Sequence, residues 1–455
     1  MLRKRNSGRP ERLLFLCPMY AFCYITWQLL AKLDKQGSVL TKYLALNKRF
    51  VILGDHSMKK SLLALAALGA FAGVAHAQSS VTLYGIVDVG INMNTNAGGF
   101  HKYDMSSGVL QGSRFGLRGT EDLGGGLKAL FVLENGFDLT NGKLGQGGLM
   151  FGRQAYVGLS SNFGTVTLGR QYDSVVDYVG PFESGDQWGG YIAAHPGDID
   201  NFNNAYRTNN TIKYTSANYS GLTFGGTYSF GGTAGDFSHN QIWSLGAGYN
   251  NGPLALGVGY LNARTPAASG GLFNNGGTIA TNTPATGTTA ASFAVTTPIY
   301  AGFASANTYQ VIGAGGAYTF GAATIGLTYS NIQFGNLGKT FASPFAGQKA
   351  TFNNGEINFK YQLTPALLVG AAYDYTRGEQ IEGNSRAQYH QGALGVDYFL
   401  SKRTDVYLVG VYQHALGDTV NTAGQVVAAT AAINGLTGST TNNQFTARVG
   451  IRHKF

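Results

Sequence analysis

The chain has 455 residues, of which 67 are glycine, 26 tyrosine and 27 phenylalanine; 44% are hydrophobic and only 12% charged. This composition excludes a disordered chain, a collagen (there is no Gly-X-Y period) and a helical bundle, and it points to strands with many aromatic anchors. The formal charge of +9 is no sign of nucleic-acid binding: residues 1–77 hold 12 of the 32 basic and 3 of the 23 acidic residues, and the remaining 20 of each sign cancel.

The N-terminal 77 residues fall into two parts. Leu13–Ala31 is an apolar run long enough for a transmembrane helix, flanked by Arg3, Lys4, Arg5, Arg9 and Arg12. Either residues 1–57 are an extension carrying a membrane anchor, or translation starts at Met58 and the segment is a start-site artefact. The residues from Met58 onward favour the artefact. Met58-Lys59-Lys60, the apolar run Ser61–Val74 and Ala75-His76-Ala77 have the basic start, apolar centre and small-x-small cleavage site of a secretory signal, which would be functionless at an internal position. A signal peptide over 58–77, cleaved after Ala77, is therefore expected, and fold reasoning starts at residue 78. Both cysteines, Cys17 and Cys23, lie upstream, so the rest has no disulfide, thiolate nucleophile or cysteine metal site.

From Ser80 onward period-two alternation dominates, in segments of about ten residues separated by Gly, Asn, Asp and Thr clusters. The pattern predicts strands over 81–92, 107–119, 125–138, 150–160, 163–172, 206–218, 221–230, 240–250, 253–263, 307–320, 322–334, 351–363, 366–378, 387–400, 404–416 and 440–455. In the last, Phe445, Ala447, Val449, Ile451 and Phe455 share one face and Thr446, Arg448, Arg452 and Lys454 the other. Tight turns at Gly164-Thr165 and Gly252-Pro253 alternate with long connections near 173–205, 264–306, 335–350 and 417–439. Sixteen strands with short turns at one end and long loops at the other fit an all-β, antiparallel transmembrane barrel. Alternation alone also suits a secreted β-sandwich or solenoid. The barrel is favoured by aromatics recurring at strand ends (Tyr84, Phe115, Phe131, Tyr156, Phe163, Tyr228, Phe230, Tyr361, Tyr375, Tyr398, Tyr407, Tyr412), as interfacial girdles require.

Arg114 and Arg118 share a face opposite Phe115 and Leu117, so if the aromatics meet lipid the arginines face the lumen. An arginine in lipid at mid-depth would cost about 2–4 kcal/mol. For Arg153 and Arg170 alternation is ambiguous, because Val157 and Leu168 share their parity; a bulge or apolar packing beneath a loop would be needed to turn them inward. Arg207 is a weaker fifth candidate.

Ser80-Val-Thr-Leu-Tyr-Gly85, the run Ser113–Ala129, Arg153-Gln-Ala-Tyr-Val-Gly-Leu159, Leu168-Gly-Arg-Gln-Tyr172, Asn210-Thr-Ile-Lys-Tyr-Thr-Ser216 and the terminal Phe455 together resemble the Gram-negative general porins, trimeric and sixteen-stranded, of the betaproteobacterial type. The resemblance spans essentially all of 78–455 and has no counterpart for 1–57. It implies a bacterial outer-membrane location, a homotrimer, and a water-filled channel narrowed by the third long loop, here about Asp173–Ala205. It places Arg114, Arg153 and Arg170 in a basic constriction wall and Asp173, Asp177, Glu183 and Asp186 opposite, with Asp177 and Glu183 the best match to the acidic side. The loop departs from the family's usual Pro-Glu-Phe-Gly-Gly form. Phe455 resembles the signal read by the outer-membrane assembly machinery, which joins membrane lipids and small hydrophilic solutes and ions as expected partners.

Passive diffusion needs an aperture and a field rather than a nucleophile or cofactor. The sequence has no Gly-x-Ser-x-Gly, His-Glu-x-x-His, Walker or Rossmann motif, so no enzyme, cofactor or metal is expected. The histidines after residue 77 (His101, His195, His239, His390, His414, His453) are dispersed and read as ordinary loop or lumen residues. If the arginines crowd one wall, anions are weakly favoured. The competing functions are a substrate-selective channel and a barrel-anchored adhesin or enzyme, for which the long loop 264–306 offers a binding surface.

Overall fold

The computed structural model describes residues 80–275, 295, 297–340, 342–379 and 385–455; the leader expected at 58–77 and the segment 1–57 lie outside the described residues. Alternating apolar and polar side chains fold into β1 (Ser80–Ala97), β2 (Phe100–Ser107), β3 (Arg114–Gly124), β4 (Leu127–Gly136), β5 (Gln154–Ser161), β6 (Gly164–Gln171), β7 (Thr208–Ser216), β8 (Leu222–Ser229), β9 (Ile242–Asn251), β10 (Leu254–Arg264), β11 (Thr308–Phe320), β12 (Ala323–Gly335), β13 (Ala350–Thr364), β14 (Leu367–Gly378), β15 (Gln388–Phe399) and β16 (Thr404–Leu416). A small hairpin of β17 (Asp418–Val420) and β18 (Val426–Ala428) precedes the last strand, β19 (Asn443–Lys454).

Successive strands pair antiparallel, and β19 returns to β1 in a register running from Ile86 opposite Lys454 to Asn94 opposite Thr446. The sheet thus closes without an edge, the condition for satisfying every backbone group in lipid. β2 and β3 both pair with β1, at Val89–Ser107 and Ile86–Arg114 respectively, so they are two halves of one stave interrupted at 108–113. The result is a closed sixteen-stave antiparallel barrel. The expected second strand, 107–119, therefore covered only the middle of a stave that starts at Phe100. The connections 125–126, 162–163, 217–221, 252–253, 321–322, 365–366 and 400–403 are short and lie at the end that carries both Ser80 and Phe455, whereas the two-residue turn 98–99 lies at the other. The backbone of Phe455 exchanges two 3.0 Å hydrogen bonds with Gly85, and its ring covers that glycine so closely that a Cβ there would stand 2.3 Å from Cζ.

The outward face is apolar and uncovered: Val81, Leu83, Val157, Leu245, Val258, Ile312, Leu327, Ile357, Leu394 and Val449 are all more than half exposed. An apolar band of this extent is stable only against lipid. Three tyrosines assigned to the girdle turn the other way: Tyr84, Tyr407 and Tyr156, the last alternating with the exposed Val157 and Leu159. Tyr84 donates to Glu134 and Tyr407 to Asp88, both on the lumen side, because each sits at inward parity and finds a carboxylate there.

The largest buried cluster lies inside the barrel, where the connection from β6 to β7 packs on the wall formed by β9–β12. That connection starts with α1 (Ser174–Tyr178) and proceeds through short turns at Gly180–Phe182, Gly185–Gly189, Tyr191–Ala193 and Pro196–Asp198. The wall beneath it gives up most of its side chains, although Ser244 stays and accepts from the Ser174 amide at 2.9 Å. Gly246, Gly257, Gly259, Gly313 and Gly315 point inward, under Tyr178, Val175, Phe202 and Phe182; a Cβ at Gly257 would stand 1.8 Å from the Tyr178 carbonyl oxygen. Interiors packed this tightly do not absorb an extra methyl. Gly257→Ala should therefore lower stability by about 1–3 kcal/mol, read as a lower urea midpoint of the detergent-refolded barrel. Gly392→Ala, where a Cβ meets nothing within 4 Å, should leave the midpoint unchanged.

Candidate functional site

The inward loop meets the broken stave across the lumen. Asp173 caps α1, accepting from the amides of Val175 (2.9 Å) and Val176 (3.3 Å) and from Asn201 (2.8 Å). Farther along, the amide of Tyr191 donates to the carbonyl of Val109 at 2.7 Å. Gly190 makes this approach possible: its φ is +69° and a Cβ would stand 2.4 Å from the same oxygen. Asp88 on β1 holds the break open from behind, since its carboxylate accepts from the amide of Gln111 (2.8 Å) and its carbonyl from the hydroxyl of Ser113 (3.0 Å). The break ends at Arg114, which is thereby delivered to the loop.

A cavity of about 870 Å³ separates loop from wall, lined by Arg114, Arg153, Tyr172, Asp186, Arg207 and Lys360 among others. Arg114 Nε donates to the carbonyl of Gly112 (2.8 Å). A Cβ on Gly112 would stand 2.8 Å from Arg153 Nη1 and 4.0 Å from Arg114 Nη2, so the two guanidiniums flank one small gap. Arg153 donates from Nε to Glu134 (2.9 Å) and from Nη2 to the Tyr172 hydroxyl (2.9 Å). Arg207 lies 5.5 Å from the centroid of the Tyr172 ring and donates to Asn204 (2.6 Å).

Arg118 is outside this cavity. It is exposed on the inward face of β3, 5.2 Å from the centroid of Tyr84, whose hydroxyl donates to Glu134 at 3.0 Å. Arg118, Tyr84, Glu134, Arg153, Tyr172 and Arg207 consequently form one continuous ladder up the wall, with arginines alternating with aromatic and acidic partners. Arg153 escapes the parity of Val157 because it precedes β5. Arg170 escapes that of Leu168 through a bulge: Gly169 pairs with Thr211 but Gln171 with Thr208. The bulge directs Arg170 to the carbonyl of Gly152 (2.8 Å), to Asn209 and to the carbonyl of Asn275 (3.2 Å), rather than into the cavity.

Of the four loop acids, Asp186 faces the arginines. It accepts from Asn203 (2.9 Å) and lines the shared cavity. Enclosure by loop and wall pushes its pKa up to about 7, with Arg114 and Arg153 pulling the other way. Asp177 pairs instead with Lys213, next to a smaller cavity of about 350 Å³ on the opposite side of Pro181 and Phe182. Asp173 and Glu183 do not line either cavity. Asp173 is spent on the helix cap, and burial pushes its pKa up to about 6. Glu183 is fully buried beneath the loop, where it accepts from the amide of His195 (2.6 Å) and burial raises its pKa well above the carboxylate range.

Three lining or supporting groups were not singled out from sequence: Lys360, Tyr172 and Glu134. Lys360 was within reach of the alternation, because Ile357, Phe359 and Tyr361 face out and Lys360 takes the opposite parity. The other inward arginines are neutralised in place. Arg448 is fully buried against Asp88 (3.2 Å), Asn92 (2.7 Å) and Tyr407 (2.8 Å), and Arg452 against Asp405 (2.9 Å) and Asp397 (3.3 Å).

The family profile described as Gram-negative porin matches residues 64–418. An outer membrane porin protein of Bordetella pertussis is 34% identical over 398 residues, covering 78% of this chain and 94% of its own length. Outer membrane porin protein 32 of Delftia acidovorans is 42% identical over 232 residues, covering 47% of this chain and 62% of its own. Among solved structures, an anion-selective porin from Comamonas acidovorans superposes with a TM-score of 0.60 at 25% identity over 83% of this chain and 100% of that one. Closed barrel, lipid-facing band and sequence relatives agree: the chain belongs to the Gram-negative porin family, as an outer-membrane channel for the passive diffusion of small hydrophilic solutes.

Proposed function

We propose that the channel is narrowest between the loop Asp173–Ala205 and the wall bearing Arg114, Arg153 and Arg207, and that it passes small anions in preference to cations. The carrying observation is the charge of the shared cavity: Arg114, Arg153, Arg207 and Lys360 line it against Asp186 alone, with Glu134 paired behind Arg153. Fixed guanidiniums at a constriction attract anions into it, and their planar donors bind carboxylate or phosphate oxygens transiently. The similarity to a structure described as an anion-selective porin supports the sign. Arg118, one step down the ladder, extends the positive field towards the end that carries Ser80 and Phe455, and Arg170 supports the loop. The role is passage rather than catalysis. Export through the leader at 58–77 rests on its basic start, apolar centre and small-x-small site, whereas recognition of Phe455 during assembly and a homotrimer rest on the family resemblance.

Reversal potentials in planar bilayers under a salt gradient test the reading. Wild type should reverse on the anion-selective side, in conductance steps grouped in threes. Arg114→Ser should shift the potential towards cations, whereas Arg153→Ser combined with Glu134→Gln, which removes one charge of each sign from a paired couple, should shift it far less. Cation selectivity in wild type would refute the assignment of sign.

Asp186 adds a pH dependence with a definite direction. Its pKa is raised to about 7, so the carboxyl is neutral below that pH and anionic above it, facing Arg114 and Arg153, with Arg207 and Lys360 in the same cavity. Anion preference should weaken as pH rises from 5.5 to 8.5, roughly the span over which such a group titrates, and Asp186→Asn should flatten the profile at its low-pH value.

A further inference from the structure

Behind the loop, away from the permeation cavity, a second polar cluster ties loop to wall. Among the described residues one group brings three possible metal-ligand atoms within 4.8 Å of one another: His195 from the loop, Glu356 from β13 and Asp374 from β14. His195 Nδ1 lies 2.7 Å from Asp200 Oδ2, which also accepts from Ser330 at 2.6 Å. A carboxylate on Nδ1 is the outer-shell arrangement that fixes a ligating histidine, because it holds the proton there and leaves the Nε2 lone pair for a metal. Nε2 is aimed at the two carboxylates, 3.7 Å from Asp374 Oδ2 and 3.9 Å from Glu356 Oε2.

A second observation points the same way. Glu183, fully buried, uses Oε1 to accept from the His195 amide, while Oε2 has no hydrogen-bond partner. Asn354 Oδ1, beside Asp374, is likewise buried and unpartnered. Leaving a buried carboxylate oxygen unpaired is costly. Glu183, Asp198, Asp200, Glu356 and Asp374 are all buried around a single imidazole, a carboxyl-rich setting whose excess charge either protons or a cation must neutralise.

We infer that His195, Glu356 and Asp374 bind a divalent first-row cation of the zinc type that pins the loop to the wall. One imidazole nitrogen and carboxylate oxygens form a donor set suited to such ions. Ligand bonds of about 2.0–2.2 Å place tetrahedral neighbours roughly 3.3–3.6 Å apart, so the spacings of 3.7 and 3.9 Å from Nε2 need to close by a few tenths of an ångström, and the two carboxylates, within 4.8 Å of each other, by up to about 1.5 Å. Asp200 orients the imidazole without touching the ion, and Thr328, 3.1 Å from Nε2, yields its place. The site is sealed by the loop, so the ion enters during folding.

The test uses protein purified from outer membranes, unfolded with chelator and refolded with Zn²⁺ or with Co²⁺. About one zinc per chain should survive gel filtration, and the Co²⁺ form should show a visible band from imidazole and carboxylate ligation. His195→Ala should lose both signals, and Asp374→Asn, which preserves side-chain shape, should lose retention while still refolding to the heat-modifiable barrel. Asp186→Asn should retain the metal. No retained zinc in refolded wild type, or unchanged retention in both ligand variants, overturns the proposal, because protons alone then hold the cluster. Displacement of zinc by equimolar Ca²⁺ also overturns it, since an all-oxygen site makes no use of the imidazole.

Discussion

A loop can lie inside a barrel only if the wall gives up its side chains to receive it. Here the inward faces of β9, β10 and β11 carry Gly246, Gly257, Gly259, Gly313 and Gly315, so backbone meets backbone and the rings of Phe182, Phe202 and Tyr178 fill the remaining space. The same device recurs on the far wall, where Trp188 covers Gly370 and Gly395. Everything at the aperture depends on this seating: it fixes the height of the loop, its distance from the broken stave, and which of its acids look into the lumen.

The electrostatics reflect a division of the charged residues into two groups. Arg448 and Arg452 are matched with Asp88, Asp405 and Asp397 at the seam and contribute little field at a distance. Among the described residues Arg114, Arg207 and Lys360 have no carboxylate of their own within ion-pair range, and among the groups lining the cavity they outweigh Asp186. A chain neutral over residues 78–455 thereby acquires a strongly asymmetric interior. Net charge says little about a channel; the pairing of each charge decides what a solute meets.

Most of the barrel was legible because lipid outside and water inside impose alternation that survives even where single positions vary. Where it failed, the failure is local and physical. The first stave runs to Ala97 because Asn92 and Asn94, which resemble loop residues, are buried lumen-side partners in the sheet, and the Gly98-Gly99 turn beyond it is only two residues long. The interruption at 108–113 sits within a stave and leaves no periodic trace. Arg114 was readable from parity alone. The bulge that turns Arg170 was posed as a requirement and is present, but its destination, a bracket of loop carbonyls, depends on a loop contact that no strand pattern encodes. Among the acids the sequence supplied sign without direction. Asp173, Glu183 and Asp186 are equivalent in composition, and only the loop's fold sends one to a helix cap, one behind the loop and one to the lumen.

The seam between the first and last strands has a temporal meaning as well. Phe455 is bonded through its own amide and carbonyl to Gly85, near the opposite end of the folded chain. These are the most sequence-distant contacts the barrel makes and incur the largest loop-closure cost, so they tend to form late. A chain lacking β19 would be a sheet with two open edges in place of a cylinder. Closure thus waits on that strand: the pore exists only when the ladder from Ile86–Lys454 to Asn94–Thr446 has formed.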